Sequence, residues 1–287
     1  MQDLIINFTP TGMVPTRADN PAVPTSVTEI VEEVHAAHEL GITVAHLHAR
    51  KDDGAPTLDV RTYEAILSDL RRLCPDLVLC VSLSGRKTQD IEERAAPLIL
   101  APDMASLTLS SLNFPQQASI NSPEAIARLA EKMLDAGVHP ELEVFDLGMI
   151  NYGKHLIHKG LLRPPHYWNL LFGNVAGMQP DPATIGLALR ELPPESHCAL
   201  AGIGASQLTA NAIAVAIGIG VRVGLEDNLF FDRARKSPAT NLGLLRRVHA
   251  LAGIHDRRIM SPGAFGALGF YNRLRSRQPI PQHAPAR

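Results

Sequence analysis

Three stretches of the chain hold residue types whose spacing could do chemistry. The first is His46-Leu-His48-Ala-Arg50, which closes an apolar run. Residues two apart on a strand face the same way, so both imidazoles would converge on one point. Neutral imidazoles are good zinc ligands, and a catalytic zinc takes three protein ligands and keeps a further position open. The second stretch is Arg222-Val-Gly-Leu-Glu226-Asp227-Asn228. A carboxylate there could complete a His₂Glu set and leave the adjacent acid free as a general base, held ionised by Arg222. The third is Pro140-Glu-Leu-Glu143-Val-Phe-Asp146. Glu141 and Glu143 alternate with apolar residues, and a carboxylate in a buried strand has few innocent explanations.

Each feature has a plainer reading beside it. With 12 histidines in 287 residues, composition alone yields roughly 0.5 His-x-His pairs per chain. Glu226 and Asp227 also read as solvated loop residues capping a following helix. Ser82 and Ser84 close one apolar run, and Ser106 and Thr108 another; their hydroxyls suit a carboxylate ligand but can equally be satisfied by backbone. Gly202-Ile-Gly204-Ala-Ser206 opens a helix whose first N–H groups could hold a phosphate. A lone Gly-x-Gly carries little information by itself.

Groups so far apart in sequence need a scaffold that brings them to one place. Apolar runs fall at Leu4–Phe8, Thr43–His48, Leu77–Leu83, Met104–Leu109, Glu141–Phe145, Trp168–Phe172, Cys198–Ile203 and Gly220–Leu225. Helical periodicity follows them at Val27–Glu39, Val60–Leu73, Thr88–Ala96, Pro123–Ala136, Met149–Lys159, Pro182–Glu191, Ser206–Ile217 and Asn241–Ala252. Eight strand–helix units in about 250 residues match an α/β fold of the (β/α)₈ TIM-barrel type. The first turn, Thr9-Pro-Thr-Gly12, lacks the glycine fingerprint of a dinucleotide-binding sheet. A barrel places its working residues at the C-terminal ends of its strands, which is where the three stretches fall. His139, His166 and His197 precede their strands and so belong to the opposite, stability face. The expected organisation is a catalytic barrel over residues 1–256 and a C-terminal extension over 257–287. Ser276–Arg287, rich in Pro, Gln and Arg, reads as an arm or disordered tail.

Composition bounds the partners. The chain is 45% hydrophobic and 20% charged with a net charge of −2, an ordinary globular balance. No basic block exists and aromatics are only 5%, which argues against nucleic acid and against membrane surfaces. No window of 18 apolar residues exists, so no membrane span is expected. The N-terminal residues do not read as a signal peptide. Cys74, Cys80 and Cys198 are odd in number and lie in apolar surroundings, as reduced core thiols of a cytoplasmic protein would.

Taken together, Thr16-Arg-Ala-Asp-Asn-Pro-Ala-Val-Pro24, His46-Leu-His48-Ala-Arg50, Ser106-Leu-Thr-Leu-Ser-Ser-Leu-Asn113-Phe114, Pro140-Glu-Leu-Glu143, Ala201-Gly-Ile-Gly204 and Arg222-Val-Gly-Leu-Glu226-Asp-Asn228 resemble the β-keto acid cleavage enzyme family. The family's best-known activity is 3-keto-5-aminohexanoate cleavage. The resemblance implies a zinc-dependent (β/α)₈ barrel that converts a β-keto acid and acetyl-CoA into acetoacetate and a new acyl-CoA. It implies zinc on His46, His48 and Glu226, with Asp227 as the base and Arg222 as its charged partner. Ser82, Ser106 and Glu143 would line the keto-acid pocket, Gly202 and Gly204 could meet CoA phosphate, and a homo-oligomer, dimer or tetramer, is expected.

Two positions depart from that pattern. Val14 stands where the aminohexanoate enzymes have an acidic residue for the substrate ammonium. Arg86 stands where small residues are usual. The substrate expected is therefore a neutral or apolar β-keto acid rather than an amino-bearing one. An inward Arg86 would admit a dicarboxylic acid such as 3-oxoadipate; the plain reading is a solvated loop residue. Two rivals remain. A zinc hydrolase of the amidohydrolase type starts from the same His-x-His but needs histidines where Phe145-Asp146 and Phe172-Gly173 stand here. A zinc lyase, or a non-catalytic barrel acting in assembly, would be the other.

Overall fold

The eight apolar runs become eight parallel strands: β1 (Ile6–Phe8), β2 (Val44–Leu47), β3 (Val78–Val81), β4 (Met104–Thr108), β5 (His139–Val144), β6 (His166–Phe172), β7 (Ser196–Gly202) and β8 (Gly220–Val223). The computed structural model describes residues 2–273. Each strand pairs with its sequence neighbours and β1 pairs with β8, closing the barrel. Outside it lie α1 (Val27–Leu40), α2 (Val60–Leu73), α3 (Ile91–Ala95), α4 (Pro123–Asp135), α5 (Leu147–His158), α6 (Pro182–Glu191), α7 (Ser206–Ile217) and α8 (Asn241–Ile254). The chain is a (β/α)₈ barrel. Among the described residues, no helix is long and apolar enough to cross a membrane.

Local chemistry explains the helix starts. Ser26 and Glu29 form a reciprocal capping box on α1, and Ser122 caps α4 with Pro123 at its first position. The third helix is shorter than its periodicity suggests. The Thr88 hydroxyl accepts the Asp90 N–H, and the Asp90 carboxylate accepts those of Glu92 and Glu93, so the helix begins at Ile91. A 3₁₀ run, Ala96–Leu100, then takes over at Pro97.

The interior is stratified by strand periodicity. Ile5, Val44, Val78, Met104, Tyr167 and Ala199 form a dry floor with Cys80. Two residues further along the same strand faces stand Asn7, His46, Ser106 and Asn169, all buried. The barrel is thus apolar at its N-terminal end and polar towards its C-terminal mouth. Met260, Phe265, Phe270 and Tyr271 join the apolar floor from below. The rings of Phe265 and Phe270 stack 4.2 Å apart, and Tyr167 meets both edge-on. The extension expected from residue 257 therefore begins as a plug; residues 274–287 lie outside the described residues.

His139 and His197 stand at this sealed end, their rings 5.7 and 5.6 Å from Phe270. Their strands start earlier than the apolar runs indicate, because β6 and β7 pair from His166↔Ser196 onward. Burial pushes His139 down to about 4, which keeps it neutral in the core. Replacing Phe270 by alanine empties the centre of the plug. We expect it to cost about 3–5 kcal/mol in urea unfolding, the usual range for a buried phenylalanine.

Candidate active site

Strand β2 delivers the two imidazoles to the mouth as their spacing requires. His46 Nε2 and His48 Nε2 face each other at 3.1 Å. Glu226 arrives from the loop after β8, with Oε1 3.3 Å from His48 Nε2 and Oε2 3.7 Å from His46 Nε2. Ligand atoms of the three residues all lie within 4.8 Å of one another. Glu226 Oε2 is buried without a hydrogen-bond partner, a costly arrangement unless something else meets it. A divalent cation fits that gap: three N/O donors converge, and one of them is otherwise orphaned.

Glycine makes the approach of Glu226 possible. Gly12 takes φ +67°, and a Cβ there would stand 2.6 Å from Glu226 Cγ. Arg50 holds this β1 loop by donating to the Gly12, Pro15 and Gly54 carbonyls. Below the histidines, His46 Nδ1 lies 2.5 Å from Glu141 Oε2, and Asn7 donates to Glu141 Oε1. Burial alone would raise Glu141, but the His46 charge and hydrogen bond, with Arg222, hold it down to about 2. An ionised Glu141 can only accept, so Nδ1 carries a proton and points it at that carboxylate. Burial would lower His46, but Glu141 and Glu226 outweigh it and raise the imidazole to about 9, so a cation bound at Nε2 would take the place of a proton there. A second convergence, His46, Cys80 and Glu141, is less suited to a cation. Burial pushes the Cys80 thiol well up, so it donates to Glu141 as a neutral group.

Arg222 from β8 is the electrostatic hub. Its Nε donates to Asp227 Oδ2 at 3.0 Å, Nη2 to Glu226 Oε1 at 2.8 Å and Nη1 to Glu143 Oε1 at 3.4 Å. Burial opposes its charge, but the surrounding carboxylates outweigh that and hold Arg222 firmly protonated. Burial also raises Glu226, yet His48, Arg222 and His46 together bring it well below the usual carboxylate range. Asp227 goes the other way: burial and the Glu226 charge outweigh Arg222 and raise it. Two adjacent acids thus differ in character, one suited to a cation and the other to a proton. Neither caps a helix, since α8 starts only at Asn241 with Thr240 as its cap.

The remaining expected residues divide. Glu143 lies at the mouth, where Thr108 donates to its Oε2 at 2.7 Å. Ser82 and Ser106 are buried there too, and both hydroxyls accept backbone N–H groups of the loop after β3, from Ser84 and Leu83. Asp146 is a helix cap, accepting from Gly148 N at the start of α5. Val14 is 52% exposed on the β1 loop and offers no polar group. Gly202 and Gly204 do not form an open phosphate cradle. Gly204 N–H donates to the Asp227 carbonyl, Ile203 N–H to Phe172, and Ser206 and Gln207 bond back within the turn. A Cβ at Gly202 would strike the Ser206 backbone at 2.4 Å, so that glycine serves close packing. Asn7 and Asn169 were not expected. Both are polar positions inside apolar runs, the one signal that marks them, and neither amide atom of Asn169 has a hydrogen-bond partner among the described residues.

The sequence model of the beta-keto acid cleavage enzyme family matches residues 3–267. The chain belongs to the β-keto acid cleavage enzyme family. Over 264 residues it is 34% identical to a 3-keto-5-aminohexanoate cleavage enzyme of Acetoanaerobium sticklandii, covering 91% of this chain and 96% of that protein. Over 270 residues it is 35% identical to a 3-oxoadipate:acetyl-CoA acetyltransferase of Cupriavidus necator, covering 93% and 94%. In structure it is similar to ObcA in its apo form, with a TM-score of 0.74 at 19% identity, covering 88% of this chain and 66% of that one. That likeness concerns the barrel alone.

Proposed function

We propose that the protein is a zinc-dependent β-keto acid cleavage enzyme, converting a β-keto acid and acetyl-CoA into acetoacetate and a new acyl-CoA. The observation that carries this reading is the pairing at the mouth of a His₂Glu donor set with a separate carboxylate of raised pKa, Asp227. The names of the family relatives, which join β-keto acids to acetyl-CoA, support the chemistry. Bound by His46, His48 and Glu226, zinc would supply Lewis acidity to the keto group and acidify the C2 proton.

The chain's own residues supply the rest. Asp227 takes the proton from C2, and Arg222 Nε at 3.0 Å fixes the direction of its lone pairs. The C2 carbanion attacks the acetyl thioester carbonyl, forming a C–C bond and releasing the CoA thiolate. That thiolate ends on the former keto carbon as the C2–C3 bond breaks, and Asp227 returns the proton to C2 of the departing acetoacetate. Ser82 and Ser106 keep their O–H donors for the substrate carboxylate, because both accept rather than donate within the protein. With Val14 in place of an acid, a cationic tail would find no carboxylate at position 14.

The test is a panel of β-keto acids assayed with acetyl-CoA for acetoacetate release, alongside metal analysis. About one zinc per chain and turnover of at least one such acid are expected. A metal-free protein without acetoacetate release would end the proposal. A related outcome concerns Glu141. Replacing it by glutamine removes the carboxylate that orients His46, and zinc affinity should fall by about 10–100-fold in a chelator titration.

A further inference from the structure

We infer that Arg86 reads the far end of the substrate, so that the preferred β-keto acid carries a second carboxylate. This rests on the reading just given and adds to it the class of acid.

Arg86 is half-buried rather than solvated, and its guanidinium carbon lies 3.7 Å from the centroid of the Phe114 ring. Phe114 is itself braced edge-on by Phe145, directly after β5. The loop that carries Arg86 is fixed from behind. Buried Arg94 donates to the Leu83 carbonyl, Gln89 to that of Gly85, and a Cβ at Gly85 would meet Arg94 at 2.7 Å. Arg86 is therefore held over an aromatic face by a braced loop before any ligand arrives.

Three arginines act on the carboxylates of the mouth: Arg50, Arg86 and Arg222. Arg222 is spent on Glu143, Glu226 and Asp227, and Arg50 on three backbone carbonyls. Among the described residues, no hydrogen bond or ion pair engages the guanidinium of Arg86. Of the three, its guanidinium is the one with no partner on any of its nitrogens among the described residues, and it feels the charges of Glu143, Glu226 and Asp227. A guanidinium fork matches a carboxylate bidentately. The reacting carboxylate already has the zinc site and the two serine hydroxyls, which leaves the tail.

The experiment compares 3-oxohexanedioate with its 6-methyl ester and with 3-oxohexanoate, all with acetyl-CoA. The dianion should exceed the ester in kcat/KM by about 10–100-fold, as one charge-assisted pair would give. In R86Q that ratio should collapse towards one, mainly through KM of the dianion, with R86K recovering part of it and the melting temperature confirming the fold. Equal losses on all three acids would overturn the inference, because Arg86 would then read the reacting end. A rise confined to KM for acetyl-CoA would overturn it in favour of CoA. Wild-type preference for the neutral acids would overturn it while leaving the reaction itself established; release of acetoacetate from none of them would instead sink the underlying reading.

Discussion

His48→Ala will give a folded barrel that no longer holds zinc and no longer turns over. His48 is buried at the mouth, and its Nε2 meets only His46 and Glu226 among the described side chains. It braces no strand or loop, so its loss leaves the architecture alone. Two donors then remain where a catalytic zinc needs three. Burial lowers the His48 pKa, so the imidazole is neutral and available as a ligand at pH 7. Elemental analysis of the purified variant, beside circular dichroism, decides the matter: full zinc occupancy would remove His48 from the ligand set.

Asp227→Asn makes the second large effect, and of a different kind. Asparagine keeps the size of the side chain and an oxygen for the Arg222 donor at 3.0 Å, but cannot accept a proton from carbon. Zinc content and substrate binding should survive while kcat falls by about 10²-fold or more, the scale of general-base loss. Near-normal kcat would mean that the proton leaves by another route. Together the two substitutions separate metal binding from proton transfer at adjacent positions of one site.

The barrel and most of its mouth were legible because strand periodicity is a local signal. His46 and His48 face inward for the same reason that Val44 does. What stayed hidden depends on contacts across the barrel. That Glu141 orients His46 follows from a contact 95 residues apart in sequence, and no spacing rule announces it. The Gly202–Gly204 turn reads as open in sequence because the Asp227 and Phe172 carbonyls that take up the Gly204 and Ile203 amides are brought there only by closure of the strands. Phe265 and Phe270 carry no helical or strand period, so a plug read as the start of a tail. Arg86 read as solvated because Phe114, the ring it lies on, belongs to a different loop.

The plug at the N-terminal end has a consequence for traffic. With Phe265 and Phe270 packed into the floor, the barrel is a blind well, and everything must pass through the same opening. In the proposed reaction the keto acid would lie at the bottom of that well, against His46, His48 and Glu226, with the thioester over it. Geometry therefore imposes a queue on the proposed reaction: the acid enters first and acetyl-CoA second. On the way out the order would reverse, the new acyl-CoA leaving before the acetoacetate beneath it.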